Sequence, residues 1–124
     1  MRPVSTIQHV TSADFDREVG GSSIPVLVDF YASWCGPCRV LAPVLERVAA
    51  RYAGRLKVLK VDVDSEPWLA SRYGVSGVPT LFFFAGGEVK ESLVGLPPPQ
   101  SLASAIEKLL SESEAPAAGA GGNR

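Results

Sequence analysis

The stretch that most constrains the fold is an apolar run, Val26–Tyr31, which is followed closely by the pentapeptide WCGPC at positions 34–38. A run with a single charged member is typical of a strand covered on both faces. Behind the pentapeptide, apolar residues recur at helical spacing, at Leu41, Val44, Leu45, Val48 and Tyr52. Both cysteines of the chain therefore lie where a buried strand passes into a helix.

The position of the two cysteines predicts redox chemistry. Cys35 falls at the helix start, where unpaired backbone N–H groups and the positive end of the helix dipole favour a thiolate. Cys38 lies one turn further, and residues three apart share a helix face, so the two sulfurs can form a disulfide. Pro37 suits a first turn that does not use its missing N–H, and Gly36 removes bulk beside the sulfur. The pair is expected to switch between dithiol and disulfide.

The sequence supports three other roles for the cysteine pair less well. A structural zinc site needs four ligands, and beyond the cysteines the chain offers only His9. Attached c-type haem needs a histidine directly after the second cysteine, where Arg39 stands. A purely structural disulfide would close a loop too short to restrict the unfolded chain much. No metal site is therefore predicted.

The composition and the net charge indicate where the protein is located and which classes of partner it binds. A net charge of -1 and the absence of a basic cluster argue against a nucleic-acid partner. No stretch is long enough to span a membrane, and residues 1–7 lack the apolar run of a secretory signal. We therefore expect a cytoplasmic protein that does not bind membranes. In a reducing compartment a lone Cys-x-x-Cys is more often catalytic or sensing than structural.

Strands and helices are predicted to alternate along one domain. The predicted strands cover residues 7–10, 26–31, 56–63, 80–85 and 88–94, with a hairpin turn at Gly86-Gly87. The predicted helices surround Phe15 and Val19, run from the pentapeptide to about residue 52, cover residues 67–73 and follow the proline run at 97–99. This order predicts a mixed sheet in an α/β sandwich. Residues 1–112 form the domain, and the Ala/Gly-rich residues 113–124 are predicted to be a disordered tail.

From residue 7 to about residue 110 the chain resembles the thioredoxin family. Beyond the pentapeptide, the similarity lies at residues 28–30, at Lys60, at residues 77–80 and at Gly95, and this order is far more specific than Cys-x-x-Cys alone. Tyr31 departs from the family pattern, since many bacterial members carry Trp there. The resemblance implies a thioredoxin-like three-layer α/β/α sandwich with a mixed five-stranded central sheet.

Two further departures lie near the redox motif. Val78 stands where Ile is frequent, and an unusual proline run, Pro97-Pro98-Pro99, follows Gly95. The first keeps the character of the site, whereas the proline run leaves open which partners dock beside it.

Cys35 is the candidate nucleophile, because the cysteine at the helix start gains most from the dipole and is expected to be the more exposed. Its thiolate attacks a substrate disulfide and forms a mixed disulfide. Cys38 then attacks Cys35 and releases the reduced substrate, a step made quick by its intramolecular character.

Two charged residues within predicted strands are candidates for proton handling. Desolvation should raise the pKa of Asp29, and the resemblance implies that Asp29 accepts the proton of Cys38 through water. The alternative is an Asp that is solvated at a strand end or caps the next helix. For Lys60 the resemblance implies a place near Asp29, where it tunes that carboxylate. Its alternative is a stem packed on the sheet with the ammonium at the surface.

The resemblance also implies a substrate surface around Cys35. Pro79 is expected to follow a cis peptide bond from Val78 and to lie against the cysteines, although an ordinary trans turn proline is the alternative. The backbone of Val78 would then pair with an extended substrate segment. A flat apolar surface is expected from Trp34, Gly36, Pro37, Val78 and Gly95.

Other aromatic and charged residues receive no functional role. Trp68 and residues 82–84 are predicted to lie mainly in the core. Arg39, just after the motif, is predicted to be a solvated helix residue.

The resemblance implies a monomeric protein disulfide reductase without a bound cofactor. Its electrons would come from NADPH through a thioredoxin reductase flavoprotein, and its substrates would be proteins that contain disulfides. A disulfide oxidase or isomerase is disfavoured by the Gly-Pro pair between the cysteines and by the missing signal. A redox-sensing adaptor or binding subunit could use the same groove, and a Cys35→Ser, Cys38→Ser double variant separates it from a reductase.

Overall fold

A central sheet with helices on both faces organises the computed structural model, which describes residues 7–114. The strands are β1 (Gln8–His9), β2 (Val26–Tyr31), β3 (Lys57–Asp62), β4 (Thr80–Ala85) and β5 (Glu88–Val94). The helices are α1 (Phe15–Gly20), α2 (Gly36–Arg51), α3 (Pro67–Arg72) and α4 (Pro99–Ser113). None of these helices is both long enough and apolar enough to cross a membrane.

The sheet has the strand order β1-β3-β2-β4-β5 and is mixed. Strand β3 runs parallel to β1 and β2, whereas β4 is antiparallel to both β2 and β5. The last two strands are joined by Gly86-Gly87, and both glycines have positive φ, as the tight turn of a hairpin requires. The predicted mixed five-stranded sheet is confirmed.

Helices α2 and α4 cover one face of the sheet, and α1 and α3 cover the other. The first core cluster includes Leu27, Leu45, Phe83 and Ile106, all at most 1% exposed. The second core cluster joins the opposite face of the sheet to α1 and α3, through side chains that include Phe15, Phe30, Leu69 and Phe84. Strand β2 is paired on both edges and covered on both faces, which explains its nearly continuous apolar sequence. The fold is the three-layer α/β/α sandwich of the prediction.

The placement of Trp68 in the core was wrong. Helix α3 is only six residues long and buries Leu69, whereas Trp68 points outward and is 60% exposed. Its ring lies 5.6 Å from the guanidinium carbon of Arg72, which covers part of it. Phe83 and Phe84 are buried as predicted, and Phe82 is half-buried.

The ends of the domain differ slightly from the predicted bounds. Strand β1 is two residues long rather than four. Helix α4 continues to Ser113, and Glu114 forms an ion pair with Arg55 at 2.9 Å. The predicted disorder of the tail concerns residues that, from position 115 onward, lie outside the described part of the chain.

Candidate active site

Cys35 and Cys38 form a disulfide at the start of α2, with their Cα atoms 5.3 Å apart. Cys35 is the N-cap of this helix and has an extended backbone conformation. Its Sγ accepts a hydrogen bond from the backbone N–H of Cys38 at 3.1 Å. One of the free N–H groups of the first helical turn is therefore aimed at the sulfur of Cys35, where it would stabilise a thiolate after reduction.

Exposure does not distinguish the two cysteines in the disulfide form. Each is 4% exposed, so the prediction that Cys35 is the more exposed was wrong for this state. The sulfurs are covered because Val78 and Val63 pack against the cluster formed by the two cysteines and Ala32. The asymmetry between the two cysteines comes instead from the N-cap position and the hydrogen bond to Cys35 Sγ.

Asp29 is completely buried in β2. Its exposure is 0%, and neither carboxylate oxygen has a hydrogen-bond partner among residues 7–114. Loss of solvation raises the pKa of Asp29 to about 6, and the positive charge of Lys60 offsets part of that rise. The alternative of a solvated or helix-capping Asp is therefore excluded, and the expected increase in pKa is confirmed.

The face of Asp29 follows from the alternation of the strand. Residues two apart in a strand point to the same side, so Asp29 shares the face of Leu27. Leu27 belongs to the core cluster beneath α2 and α4. Asp29 therefore lies on the face covered by α2, the helix that carries Cys38.

Lys60 is the direct neighbour of Asp29 in the parallel pairing of β2 and β3. It is half-buried, and its Nζ lies 4.5 Å from the centroid of the Tyr31 ring. The hydroxyl of Tyr31 is in turn 3.2 Å from Nδ1 of His9 in β1. The structure therefore places Lys60 beside Asp29, as the resemblance implied, with an aromatic contact that the sequence reading did not anticipate.

The peptide bond between Val78 and Pro79 is cis, so the trans alternative is excluded. The carbonyl oxygen of Val78 lies 3.7 Å from Cys35 Sγ. The N–H of Gly95 donates a hydrogen bond to the carbonyl of Pro79 at 2.8 Å. The turn before β4 and the end of β5 are therefore joined to each other, and the turn lies against the disulfide.

Trp34 stands beside the disulfide with 66% of its surface exposed. Its indole N–H donates to Oδ2 of Asp64 at 2.7 Å, a contact across 30 residues. Behind the ring is a cavity of about 120 Å³, whose other walls are formed by Val63, Val75, Ser76, Gly77 and Val78. Sequence reasoning missed Asp64, because no local pattern links it to the pentapeptide.

Further apolar surface lies on either side of Gly95. Val94 is 76% exposed and Leu96 is 45% exposed, although both are large hydrophobic residues. Gly36 and Pro37, at the start of α2, are also exposed. Exposed apolar groups next to a reactive centre are typical of a protein-binding surface.

Arg39 does more than cover the surface of α2. Its Nη1 donates a hydrogen bond to the carbonyl of Ser33 at 2.7 Å. The guanidinium thus links α2 to the loop that precedes the cysteines. Arg39 is exposed on α2 as predicted, and its side chain also reaches back from the first turn to this loop.

Within residues 7–114, neither side-chain clusters nor surface grooves indicate a second candidate active site. No group of three or more His, Cys, Asp or Glu side chains there could hold a metal ion. Larger grooves run between β5 and α4, but they are lined by residues such as Glu91, Gln100 and Lys108 and by none of the predicted site residues.

Comparison with known proteins gives consistent matches. The Thioredoxin family model matches residues 6–108. Thioredoxin 1 of Nostoc sp. is 46% identical over 107 residues, which are 86% of this chain and 100% of that protein. Thioredoxin of Synechocystis sp. is 45% identical over 107 residues, with the same two coverages. Thioredoxin M-type, chloroplastic, of Pisum sativum is 43% identical over 107 residues, which are 86% of this chain and 62% of that protein.

Proposed function

Because this chain belongs to the thioredoxin family and is a thiol-disulfide oxidoreductase, we propose that it reduces protein disulfides through a reversible Cys35–Cys38 dithiol/disulfide cycle. Members of this family need no bound cofactor and interact with disulfide substrates and reductases. The observation that carries the assignment of roles is the hydrogen bond from the Cys38 N–H to Cys35 Sγ.

In the first step, the thiolate of Cys35 attacks one sulfur of a substrate disulfide. A bond forms between Cys35 and that sulfur, and the second substrate sulfur leaves as a thiolate. The N–H donor at 3.1 Å and the helix N-terminus support the charge on Cys35 before attack.

In the second step, Asp29 accepts the proton of Cys38 through water, and the Cys38 thiolate attacks the sulfur of Cys35. The mixed disulfide breaks, and the substrate leaves with two electrons more than it brought. A pKa of about 6 supports this role, because the group is mostly ionised near neutral pH and is a stronger base than an ordinary Asp. Lys60 is proposed to tune the carboxylate.

The substrate is proposed to bind as an extended segment next to Cys35. The contact of the Val78 carbonyl with Cys35 Sγ supports strand-like pairing of the Val78 backbone with the substrate beside the reacting sulfur. The proposed substrate-binding residues are Trp34, Gly36, Pro37, Val78, Pro79 and Gly95.

A trapping experiment tests the roles of the two cysteines. Cys38→Ser should accumulate a covalent complex with insulin or with another protein that contains a disulfide, because the second step is blocked. Cys35→Ser is the matched control and should trap nothing. Equal trapping by both variants, or trapping by Cys35→Ser alone, would reverse or remove the assignment.

The proton acceptor is tested with Asp29→Asn. The variant should resolve the mixed disulfide roughly tenfold more slowly near pH 7, and the inflection near the pKa of about 6 should disappear from its pH profile. Rapid-mixing measurement of substrate release checks this. An unchanged rate and pH profile would rule out the base assignment.

We further propose that NADPH supplies the electrons through a thioredoxin reductase flavoprotein, and that the protein is a cytoplasmic monomer. Insulin reduction should proceed with dithiothreitol and also with NADPH plus a thioredoxin reductase. Activity with dithiothreitol but with none of the thioredoxin reductases tested would point to another electron source.

Function that survives in the Cys35→Ser, Cys38→Ser double variant would point to an adaptor. Gel filtration and cell fractionation test the monomer and the location.

A further inference from the structure

The ammonium of Lys60 sits next to Asp29 without touching it. The two residues are paired across β2 and β3, but neither carboxylate oxygen of Asp29 has a hydrogen-bond partner in the described chain. The charge of Lys60 nevertheless lowers the pKa of Asp29 against the effect of burial. A direct ion pair therefore does not hold the ammonium, and another contact must set its distance from the carboxylate.

The ring of Tyr31 provides that contact. Tyr31 lies two residues after Asp29 in β2, so both side chains are on the same face of the sheet. The Nζ of Lys60 is 4.5 Å from the ring centroid, well within the range of a cation–π interaction. The ring is itself fixed at both its hydroxyl and its edge, because His9 is 3.2 Å from the hydroxyl and packs at 80° with centroids 5.8 Å apart.

Another carboxylate on the same face of β3, that of Asp62, has one oxygen engaged in a turn. Asp62 lies two residues further along β3, and its Oδ1 accepts the backbone N–H groups of Asp64 at 2.9 Å and Ser65 at 3.4 Å. This turn holds the Asp62 carboxylate, and no ion pair joins Asp62 to Lys60 in residues 7–114. The Lys60 ammonium is therefore left to the aromatic face.

We propose that Tyr31 is a positioning residue for the redox reaction: its ring, fixed by His9, holds the Lys60 ammonium at a set distance from the Asp29 carboxylate. The inference rests on the proposed function, in which Asp29 accepts the proton of Cys38. A fixed positive charge makes the proton affinity of Asp29 a defined property of the site, whereas a solvated lysine would contribute a variable and screened charge.

The titratable and charged groups that face Tyr31 come from three strands and one helix. They are His9 from β1, Lys60 and Asp62 from β3, Asp29 from β2, and the positive end of α2. Partial burial, and then the charges of Asp62 and Asp29, raise the pKa of the Tyr31 phenol. Tyr31 therefore stays neutral at physiological pH and keeps both its ring face and its hydroxyl donor.

A double-mutant cycle separates positioning from simple packing. The titration of the Asp29 carboxyl carbon is followed by NMR in the oxidised protein, with and without Lys60→Gln. In the wild-type background this substitution should move the Asp29 midpoint upward, since the offsetting charge is lost. In the Tyr31→Leu background the same substitution should move it by roughly half as much or less, because the ammonium is no longer held.

Tyr31→Phe is the matched control, since it keeps the ring and removes only the hydroxyl. The effect of Lys60→Gln should persist in this background, because the edge contact with His9 remains and holds the ring without the hydroxyl. An equal effect of Lys60→Gln in the wild-type and Tyr31→Leu backgrounds, or its loss in the Tyr31→Phe background, would overturn the proposal. The quantity compared is the shift of the Asp29 midpoint that Lys60→Gln causes in each background. A change in solvation that Tyr31→Leu itself causes is present with and without Lys60→Gln, so it cancels in this comparison.

A second measurement needs no variant at position 31. The ε-methylene protons of Lys60 should be shifted upfield in the wild-type protein, because they lie over the ring face. Shifts of an ordinary solvated lysine would overturn the proposal, even if Tyr31→Leu fails to fold.

The titration is independent of turnover, so the inference and the proposed function can fail separately. Loss of trapping by Cys38→Ser would remove the proposed function, whereas equal effects in the cycle would remove only the positioning role of Tyr31. If the cycle shows the coupling and Asp29→Asn leaves resolution unchanged, the positioning stands and the base assignment falls.

Discussion

Asp29 combines complete burial, an apolar strand and a titratable charge, and this combination makes the stability of the protein depend on pH. Folding raises the pKa of Asp29 from 3.8 to about 6, so the carboxyl binds its proton more tightly in the folded than in the unfolded state. The associated stability is fully present below about pH 4 and is lost as the pH rises through about 6. The free energy of unfolding should fall by about 3 kcal/mol across this pH range.

Asp29→Asn should therefore stabilise the oxidised protein near neutral pH while it slows the reaction. Near pH 8 the variant should unfold with a free energy about 2 to 3 kcal/mol higher than the wild type, because it carries no buried charge. Near pH 4 the difference should vanish, since Asp29 is then neutral. Urea unfolding at the two pH values checks this. A stability difference that does not change with pH would show that folding does not raise the pKa of Asp29.

The side chain of Asp64 acts on the site through its hydrogen bond with the Trp34 indole. Asp64→Ala removes the acceptor of the indole N–H, so the ring loses its fixed orientation beside Cys35. A hydrogen bond of about 1 kcal/mol corresponds to a rise of about fivefold in KM for insulin, with kcat nearly unchanged. Asp64→Asn keeps an acceptor oxygen and should show a smaller rise. Equal KM values for the two variants and the wild type would contradict this prediction.

The elements of the fold bring together three segments that are distant in the chain. The start of α2 supplies the cysteines, the turn before β4 supplies Val78 and Pro79, and the end of β5 supplies Gly95. The hydrogen bond from Gly95 to Pro79 closes this arrangement at 2.8 Å. Gly95 has a φ of 84°, a conformation that side chains with a Cβ rarely adopt.

Gly95→Ala should destabilise the protein by about 1 to 2 kcal/mol through backbone strain. Steric overlap is not the cause, because a Cβ at this position would meet no atom within 4 Å. Gly20→Ala is the matched control, since its site is equally open and its φ is not positive. That variant should be neutral or slightly stabilising, as expected for Ala in a helix. Thermal unfolding checks both, and an equal loss in both variants would refute the argument from φ.

For the whole domain, stability comes from two core clusters that the central sheet separates, and the C-terminal helix closes the first of them. Its last buried side chain is Leu110, and the final described contact is the ion pair of Arg55 with Glu114. Both partners of that pair are about half exposed, so solvent screens the attraction and the pair contributes little to stability.

Removal of residues 115–124 should therefore leave the fold and the activity intact. The free energy of unfolding should change by less than about 0.5 kcal/mol, because the Ala/Gly-rich segment offers little apolar surface to bury. A cut after Glu112 serves as the control: it also removes Glu114 and the last residue of α4, and should lower the free energy of unfolding slightly more. A loss above about 2 kcal/mol on removing residues 115–124 alone would mean that they pack against the domain.

The sequence was sufficient for the order of strands and helices and for the strand-to-helix position of the cysteines, and it predicted a desolvated Asp29 beside a solvated alternative. These features depend on local patterns: apolar runs, helical spacing, and glycine or proline at turns. The polar character of Asp29 stands out because its strand is otherwise apolar. Trp68 shows the limit of such patterns, because its hydrophobicity says nothing about the side of a short helix on which it lies.

Only the tertiary structure shows which distant side chains meet at the site. The bond from Trp34 to Asp64 spans 30 residues, and the contact of Tyr31 with His9 spans 22. Such pairs are formed by strand register and by the layering of helices on the sheet, so they leave no periodic signal in the chain. The distance of Lys60 from Asp29 likewise depends on an aromatic ring that the register of β2 and β3 places beneath the ammonium.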